Sequence, residues 1–502
     1  MDSRPNVLFL VWDACRRDYA AEHAETLTAL ADRNLWFDRA VTPAPWSLPA
    51  HASLFSGQYP HEHGRNRLGN DLGDLPLAVR LSEVGYTCYG VSANGFACQR
   101  TGFHEGFDEY YYTRGRERFR DGLNVSGTAL GHLWDADGGK LRPAVKTARA
   151  TLSHDRPLKS IVNAAAVGAG SLAVRSKPLQ RVPHPLFAAD SGYVYDPERN
   201  TATLDDIIRR EAATDDPFFA FANYMDTHRP YKPDAERQRT HLGRELSRAE
   251  LHRINDEVAA PWPFLAADDR GTLDEADVET VEGLYAGEVE TVDDHLARLL
   301  DILETTGQRE ETLVVVTADH GENLGEVEKH GRRRMGHEAS VSDALANVPL
   351  VVAHPDVEPG RVERPVSLCA LYDLFTDEVE PFLESGGDVE SLVSKDVVSC
   401  QYPAAGGEHL YERYPDVPRE ALEYRIDEHA VVVYGDEWRV GRDTTGSQWA
   451  VSPDGPVSFA DAPARLRSNC SDQLDALRTS DETDHGELDD DEITQLEALG
   501  YM

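Results

Sequence analysis

Asp13, Asn94, Asp226, His228, Asp319 and His320 share one place in the pattern of this chain: each stands just beyond a short apolar run. The runs cover residues 7–12, 86–92, 217–224 and 313–318, and the first reads Val-Leu-Phe-Leu-Val-Trp without a polar break. Continuous runs of this length are the pattern of strands covered on both faces, as in a parallel sheet. In open α/β sheets, ligands bind beyond the carboxyl ends of the strands. Carboxylates, imidazoles and an amide would then meet at one edge, and that mixture of oxygen and nitrogen donors suits a divalent metal. Taken singly, an Asp after a strand is as readily a turn or cap residue. The set, not any one member, points to a metal.

A nucleophile stands in the loop Thr-Pro-Ala-Pro-Trp-Ser-Leu-Pro-Ala-His, residues 42–51. Ser47 precedes Pro49 by two residues, and a short helix is predicted over 50–55 with its stop at Gly57. Ser is a favoured N-cap and Pro belongs in a first turn, so capping is one reading of Ser47. The other is chemical: a helix N-terminus offers N–H groups to an oxyanion, and a metal would activate the Ser47 hydroxyl for attack on phosphorus or sulfur.

The elements that must position these groups alternate as strand and helix. A helical pattern over 289–303 places Val292, Leu296, Leu299, Leu300 and Leu303 on one face. Strands separated by helices predict a doubly wound α/β fold, a large central mostly parallel sheet flanked by helices. The expected division is a catalytic unit over 1–355, a small antiparallel sheet subdomain over 356–470, and an acidic linker with a terminal helix over 471–502. Short strands at 424–426, 430–434 and 438–440 carry the subdomain assignment. Within the first unit, residues 111–190 hold 13 Lys and Arg against six Asp and Glu. That basic insertion reads either as a linker paired to the acidic body or as a cap that attracts an anionic substrate.

Charge and composition narrow the class. Asp and Glu number 89 against 50 Lys and Arg, for a net charge of −39, which argues against a nucleic-acid partner. No apolar run approaches the length of a spanning helix, and the N-terminus shows no secretory signal. The six cysteines are scattered without a Cys-x-x-Cys pair, as expected for buried thiols in a reducing, cytoplasmic setting. Only seven cations are Lys; the rest are Arg. An acid-rich, Lys-poor surface suits a halophilic cytosol, where molar salt shortens the Debye length to about 3 Å. An ordinary acidic protein from a GC-rich genome is the alternative.

Five segments carry a family resemblance: residues 6–18 (NVLFLVWDACRRD), 45–64 (PWSLPAHASLFSGQYPHEHG), 223–231 (NYMDTHRPY), 284–300, and 317–352 with TADHGE, GH and NVPLVV. In this order they resemble the sulfatase family of the alkaline phosphatase superfamily, across nearly the whole chain except about 111–190. The resemblance implies one divalent metal (Mn, Ca or Zn) held by Asp13, Asp319 and His320, with Ser47 as ligand and nucleophile. It implies that His228 contacts the ester or protonates the leaving group, and that His337 and Asn94 bind the anionic head. His330 is a weaker candidate in a basic loop.

Three departures bear on the chemistry. His51 stands where the family signature has Arg, which joins it to the substrate-binding candidates and leaves conversion of Ser47 to formylglycine by a maturation enzyme open. Asp13 is followed by Ala14, and the late pair is Asp319-His320. Both of these resemble members acting on phosphonate esters, phosphodiesters or phosphoglycerol groups, and the imidazole shifts metal preference toward Mn or Zn. The leading expectation is a sulfuric ester hydrolase acting on a sulfated small molecule or glycan. A phosphoric ester hydrolase or phosphoglycerol-type transferase with unmodified Ser47, and a non-catalytic anion-binding relative, are the alternatives.

Overall fold

The computed structural model describes residues 4–66, 75–113, 141–154, 156–165, 195–214, 216–327, 333–337, 340–403, 411 and 428–481. Its main sheet has eight strands, in the order Gly360–Val362, Leu35–Phe37, Leu350–Ala353, Thr312–Thr317, Asn6–Trp12, Phe218–Tyr224, Thr87–Ser92 and Glu109–Tyr112. Asn6–Trp12 runs parallel to both neighbours and all seven of its residues are buried, which is why its sequence is apolar without alternation. Leu350–Ala353 is antiparallel to the strands on either side of it, and the remaining pairs are parallel. The mostly parallel sheet expected from the apolar runs is therefore observed.

Side-chain parity divides the packing. Phe9, Phe219 and Phe221 point to one face, where Phe9 meets Phe375 at 4.8 Å and Phe221 meets Phe55 at 5.0 Å between ring centroids. Tyr224, of opposite parity, stacks on His295 of the helix Glu275–Thr306 at 5.5 Å. That helix is 32 residues long and buries Val292, Leu296, Leu299 and Leu303, as its periodicity predicts, while Leu300 is half-buried. It starts where the Asp274 carboxylate accepts from Ala276 N and stops at Gly307, whose φ of +72° suits glycine.

Residues 360–393 still pack on this core, and a second core begins at Val398, in the strand Val397–Gln401. There five antiparallel strands, Val397–Gln401, Ala430–Tyr434, Arg439–Asp443, Gln448–Ser452 and Gly455–Val457, carry the helix Ala464–Asp481. Leu466, Cys470, Leu474 and Leu477 of that helix pack with Val431, Val433 and Val440. Most of the basic stretch 111–190 lies outside the described residues, as do 424–426, His330 and the acidic end after Asp481. Inside that stretch, Leu141–Ser153 is a helix. Among the described residues no helix is long and apolar enough to cross a membrane, and all six cysteines are buried and free.

Candidate active site

Strand register brings the expected groups to one edge. Val11 is level with Thr317 on one side and Asn223 on the other, and Ser92 is level with Asn223. The turns that follow must therefore converge. Asp13 N donates to Tyr224 O at 2.8 Å, extending the ladder by one residue. Ala14 then turns into the left-handed region at φ +61°, a conformation that costs an L-residue about 1 kcal/mol. Two groups hold it there. Asp319 Oδ1 accepts from Ala14 N, and Tyr285 Oη donates to Ala14 O at 2.7 Å while accepting from Arg16 N at 2.8 Å. Tyr285→Phe leaves both of these buried backbone groups short of a partner. The expected result is a loss of about 1–3 kcal/mol in denaturant melts and weaker metal retention, read by elemental analysis after dialysis.

Asp13, Asp319 and His320 are fully buried and offer ligand atoms within 4.8 Å of one another. Asp13 Oδ1 and Asp319 Oδ2 are buried oxygens that accept no hydrogen bond, an expensive state in the absence of a cation. His320 Nδ1–H donates to Gly321 O at 2.8 Å, which leaves Nε2 with its lone pair, 3.4 Å from Asp319 Oδ2 and 3.3 Å from Ser47 Oγ. A buried imidazole with its tautomer set by a carbonyl, two donor-free carboxylate oxygens and a hydroxyl fit a divalent metal. Gly321 is required by space: a Cβ there would lie 1.9 Å from Ala344 O.

The electrostatics carry the same message. Burial first, and the neighbouring Asp319 second, push the Asp13 carboxyl up to about 7. Burial also opposes ionisation of Asp319, but the His320 and His51 imidazoles and the Ala14 N–H hold it below its ordinary value. Burial works against a charge on His320 too, yet Asp319 and Asp13 raise it.

Ser47 is the first residue of the helix Ser47–Ser56, and its N-cap is Trp46. The capping reading of Ser47 is therefore set aside: its hydroxyl turns to His320 instead. The helix ends, as expected, at Gly57 with φ +73°.

Two expected substrate ligands, Asn94 and His51, are hydrogen-bonded to the cradle itself. Asn94 donates through Nδ2 to Asp13 Oδ2, and its Oδ1 accepts from Phe96 N and Ala97 N. His51, one turn below Ser47, donates from Nδ1 to Ser47 O at 2.9 Å and accepts from Asn223 Nδ2 at 3.2 Å. Its ring also lies 3.4 Å from Asp319 Oδ2. With both nitrogens engaged inside the protein, His51 buttresses Ser47 and Asp319. Asn94 likewise steadies Asp13. Asp226, level with them in sequence pattern, turns to Tyr195 Oη at 2.8 Å.

His228 and His337 stand together at the other side of His320, with ring centroids 5.1 Å apart, and His337 is 4.4 Å from His320. His228 Nδ1 donates to Arg229 O at 2.6 Å, and His337 Nδ1 lies 3.0 Å from Glu322 Oε1. Glu322 Oε2 accepts from Tyr231 Oη at 3.0 Å. Burial first, then His337, pushes His228 down to about 3, and burial also takes His337 well below the usual range. Sequence reading passed over Asn223, Glu322, Tyr231 and Tyr285 as site residues, although each lies in a segment that carried the family resemblance.

The family described as Sulfatase matches residues 5–377 of this chain. Among curated proteins the chain is similar to the uncharacterized sulfatase YidJ of Escherichia coli, 23% identical over 411 residues, spanning 75% of this chain and 70% of that protein. It is similar to choline-sulfatase of Rhizobium meliloti, 23% identical over 408 residues, spanning 76% and 70%. Among solved structures it shares the fold of the phosphonate monoester hydrolase SpPMH from Silicibacter pomeroyi, with a TM-score of 0.58, 21% identity, and 97% and 96% of the two chains covered.

Proposed function

The chain belongs to the sulfatase family, and from that premise we propose that it hydrolyses sulfate esters at a metal centre with Ser47 as the attacking group. One observation carries the proposal: two buried carboxylate oxygens that accept no hydrogen bond gather with His320 Nε2 within 4.8 Å of one another, and the Ser47 hydroxyl stands 3.3 Å from that nitrogen. A divalent ion held by Asp13, Asp319 and His320 would supply Lewis acidity to the Ser47 oxygen and to the ester. The protein does the rest. His51, Asn94 and Asn223 fix the oxygens of Ser47, Asp13 and Asp319. His228 and His337 face the anionic head, each with Nδ1 already committed, so Nε2 is the nitrogen that exchanges a proton. Both rings are neutral at pH 7 in the free protein, and an arriving anion raises their affinity for a proton. A proton taken up on binding is then available to the departing alcohol oxygen.

A second reading, hydrolysis of phosphonate or phosphate esters by unmodified Ser47, is favoured by His320 and by His51, a neutral ring where the family signature carries a guanidinium. Rates on an aryl sulfate and an aryl phosphonate decide between them. The proposal expects metal-dependent sulfate release as the faster reaction. Phosphonate turnover without sulfate turnover would install the second reading.

The setting is part of the proposal. Six free buried thiols support a reducing cytoplasm, and the net charge of −39 supports one of molar salt. Dilution to about 0.1 M salt lengthens the Debye length to about 10 Å and restores repulsion among surface carboxylates. The Tm is expected to fall reversibly on that dilution. A flat Tm would remove the halophilic element.

A further inference from the structure

His23, His241 and Glu290 come together from three helices, Arg17–His23, Ala235–Leu242 and Glu275–Thr306, apart from the cradle described above. Their ligand atoms lie within 4.8 Å of one another and all three residues are half-buried. His241 Nε2 is 2.8 Å from Glu290 Oε1, and the His23 ring stands edge-on to His241 at 5.4 Å between centroids. The His23 ring meets His241 and Tyr19, and among the described residues its side chain has no hydrogen-bond partner, while the Glu22 and Glu290 carboxylates act on it electrostatically. The charge around the trio is unbalanced toward anions: the single guanidinium of Arg237 is shared by Asp234, Glu290 and Asp294.

We propose that His23, His241 and Glu290 form a second metal site, selective for a zinc-class divalent transition ion. Two imidazoles and one carboxylate are the donor set of such ions, whereas Ca²⁺ and Mg²⁺ favour all-oxygen sites. Four-coordinate geometry with metal–donor bonds of about 2.0–2.2 Å needs donors a little over 3 Å apart, within reach of small rotamer shifts from the observed spacing. Three protein donors leave a fourth position for water. The ion would neutralise the surplus carboxylate charge and tie the last turns of two helices to the long helix. The helix that ends at His23 begins four residues after Asp13, and the long helix carries Tyr285, so the site braces both elements that shape the Asp13 turn.

The test separates the two sites. The full-length Asp13→Ala/Asp319→Ala chain, with the cradle disabled, is titrated with Co²⁺ in molar KCl to suppress loose binding by surface carboxylates. One equivalent with the intense visible bands of four-coordinate Co²⁺ is expected, and Zn²⁺ should displace it and raise the Tm. Adding His241→Gln is expected to weaken binding about 100-fold or more. In parallel, wild-type protein should retain one equivalent of Zn²⁺ more than His23→Gln/His241→Gln, which keeps the test decisive if the cradle variant folds poorly. Unchanged stoichiometry in His23→Gln/His241→Gln, or only the pale spectrum of six-coordinate Co²⁺, would overturn the proposal.

Discussion

Asp319→Asn is expected to leave a folded protein that no longer retains the cradle ion and has lost at least about three orders of magnitude in kcat/KM. The amide oxygen can still accept from Ala14 N and His320 N, so the turn survives; what disappears is the charge that the ion requires. Asp13→Ala should match it in activity, because it leaves one carboxylate, Asp319, beside His320 to offset the double charge of a divalent ion. The pH dependence separates this from structural damage. In metal-free wild type, the Asp13 carboxyl titrates near 7 when folded and near 3.8 when unfolded. The folded state then binds the extra proton between those values, so stability falls as pH rises from about 4 to about 7. Burial contributes most of that shift and Asp319 the next part. Asp319→Asn therefore lessens that slope, burial of Asp13 being left in place, while abolishing turnover. Melts of metal-free wild type and variant across this range check the sign. Full activity with stoichiometric metal in either variant would refute the cradle.

The strand ends were legible because a parallel strand buried on both faces must be apolar along its length, and the residue after it is released at the ligand-binding edge. Asp13, Asp319, His320 and His228 follow from that rule together with the family resemblance. The direction of Leu350–Ala353 was not legible, since a short apolar run has no polarity of its own. Ser47 was ambiguous for a local reason. Ser before a Pro-containing first turn fits a cap, and only the backbone shows that Trp46, at φ −151° and ψ 162°, takes that position. Glu322, Asn223 and Tyr285 act through partners far away in sequence, 15, 210 and 271 residues distant in the bonds to His337, Asp13 and Ala14. Register sets such pairs, and local pattern does not encode register. The hydrogen bonds of His51 to Asn223 and of Asn94 to Asp13 were not legible either, because they join segments that only the fold brings together.

Ser47→Ala should abolish ester hydrolysis, with kcat lowered by at least about three orders of magnitude while metal and fold are kept, because the Asp13, Asp319 and His320 donors remain. The nature of the attacking oxygen decides which esters can be turned over. Attack by serine on a phosphoester gives a phosphoseryl intermediate that in-line water can cleave at phosphorus. The sulfoseryl counterpart resists water at sulfur. A formylglycine hydrate at position 47 would escape that block, because its second hydroxyl would let sulfate leave by C–O cleavage with return of the aldehyde. Sulfate turnover thus requires Ser47 to be oxidised despite His51 at the signature's Arg position. The mass of the peptide spanning Ser47, taken from active protein purified from the native host, tests this most directly. A loss of two hydrogens at Ser47 is the predicted result. Unmodified serine, with phosphoserine trapped during phosphodiester turnover, would contradict it.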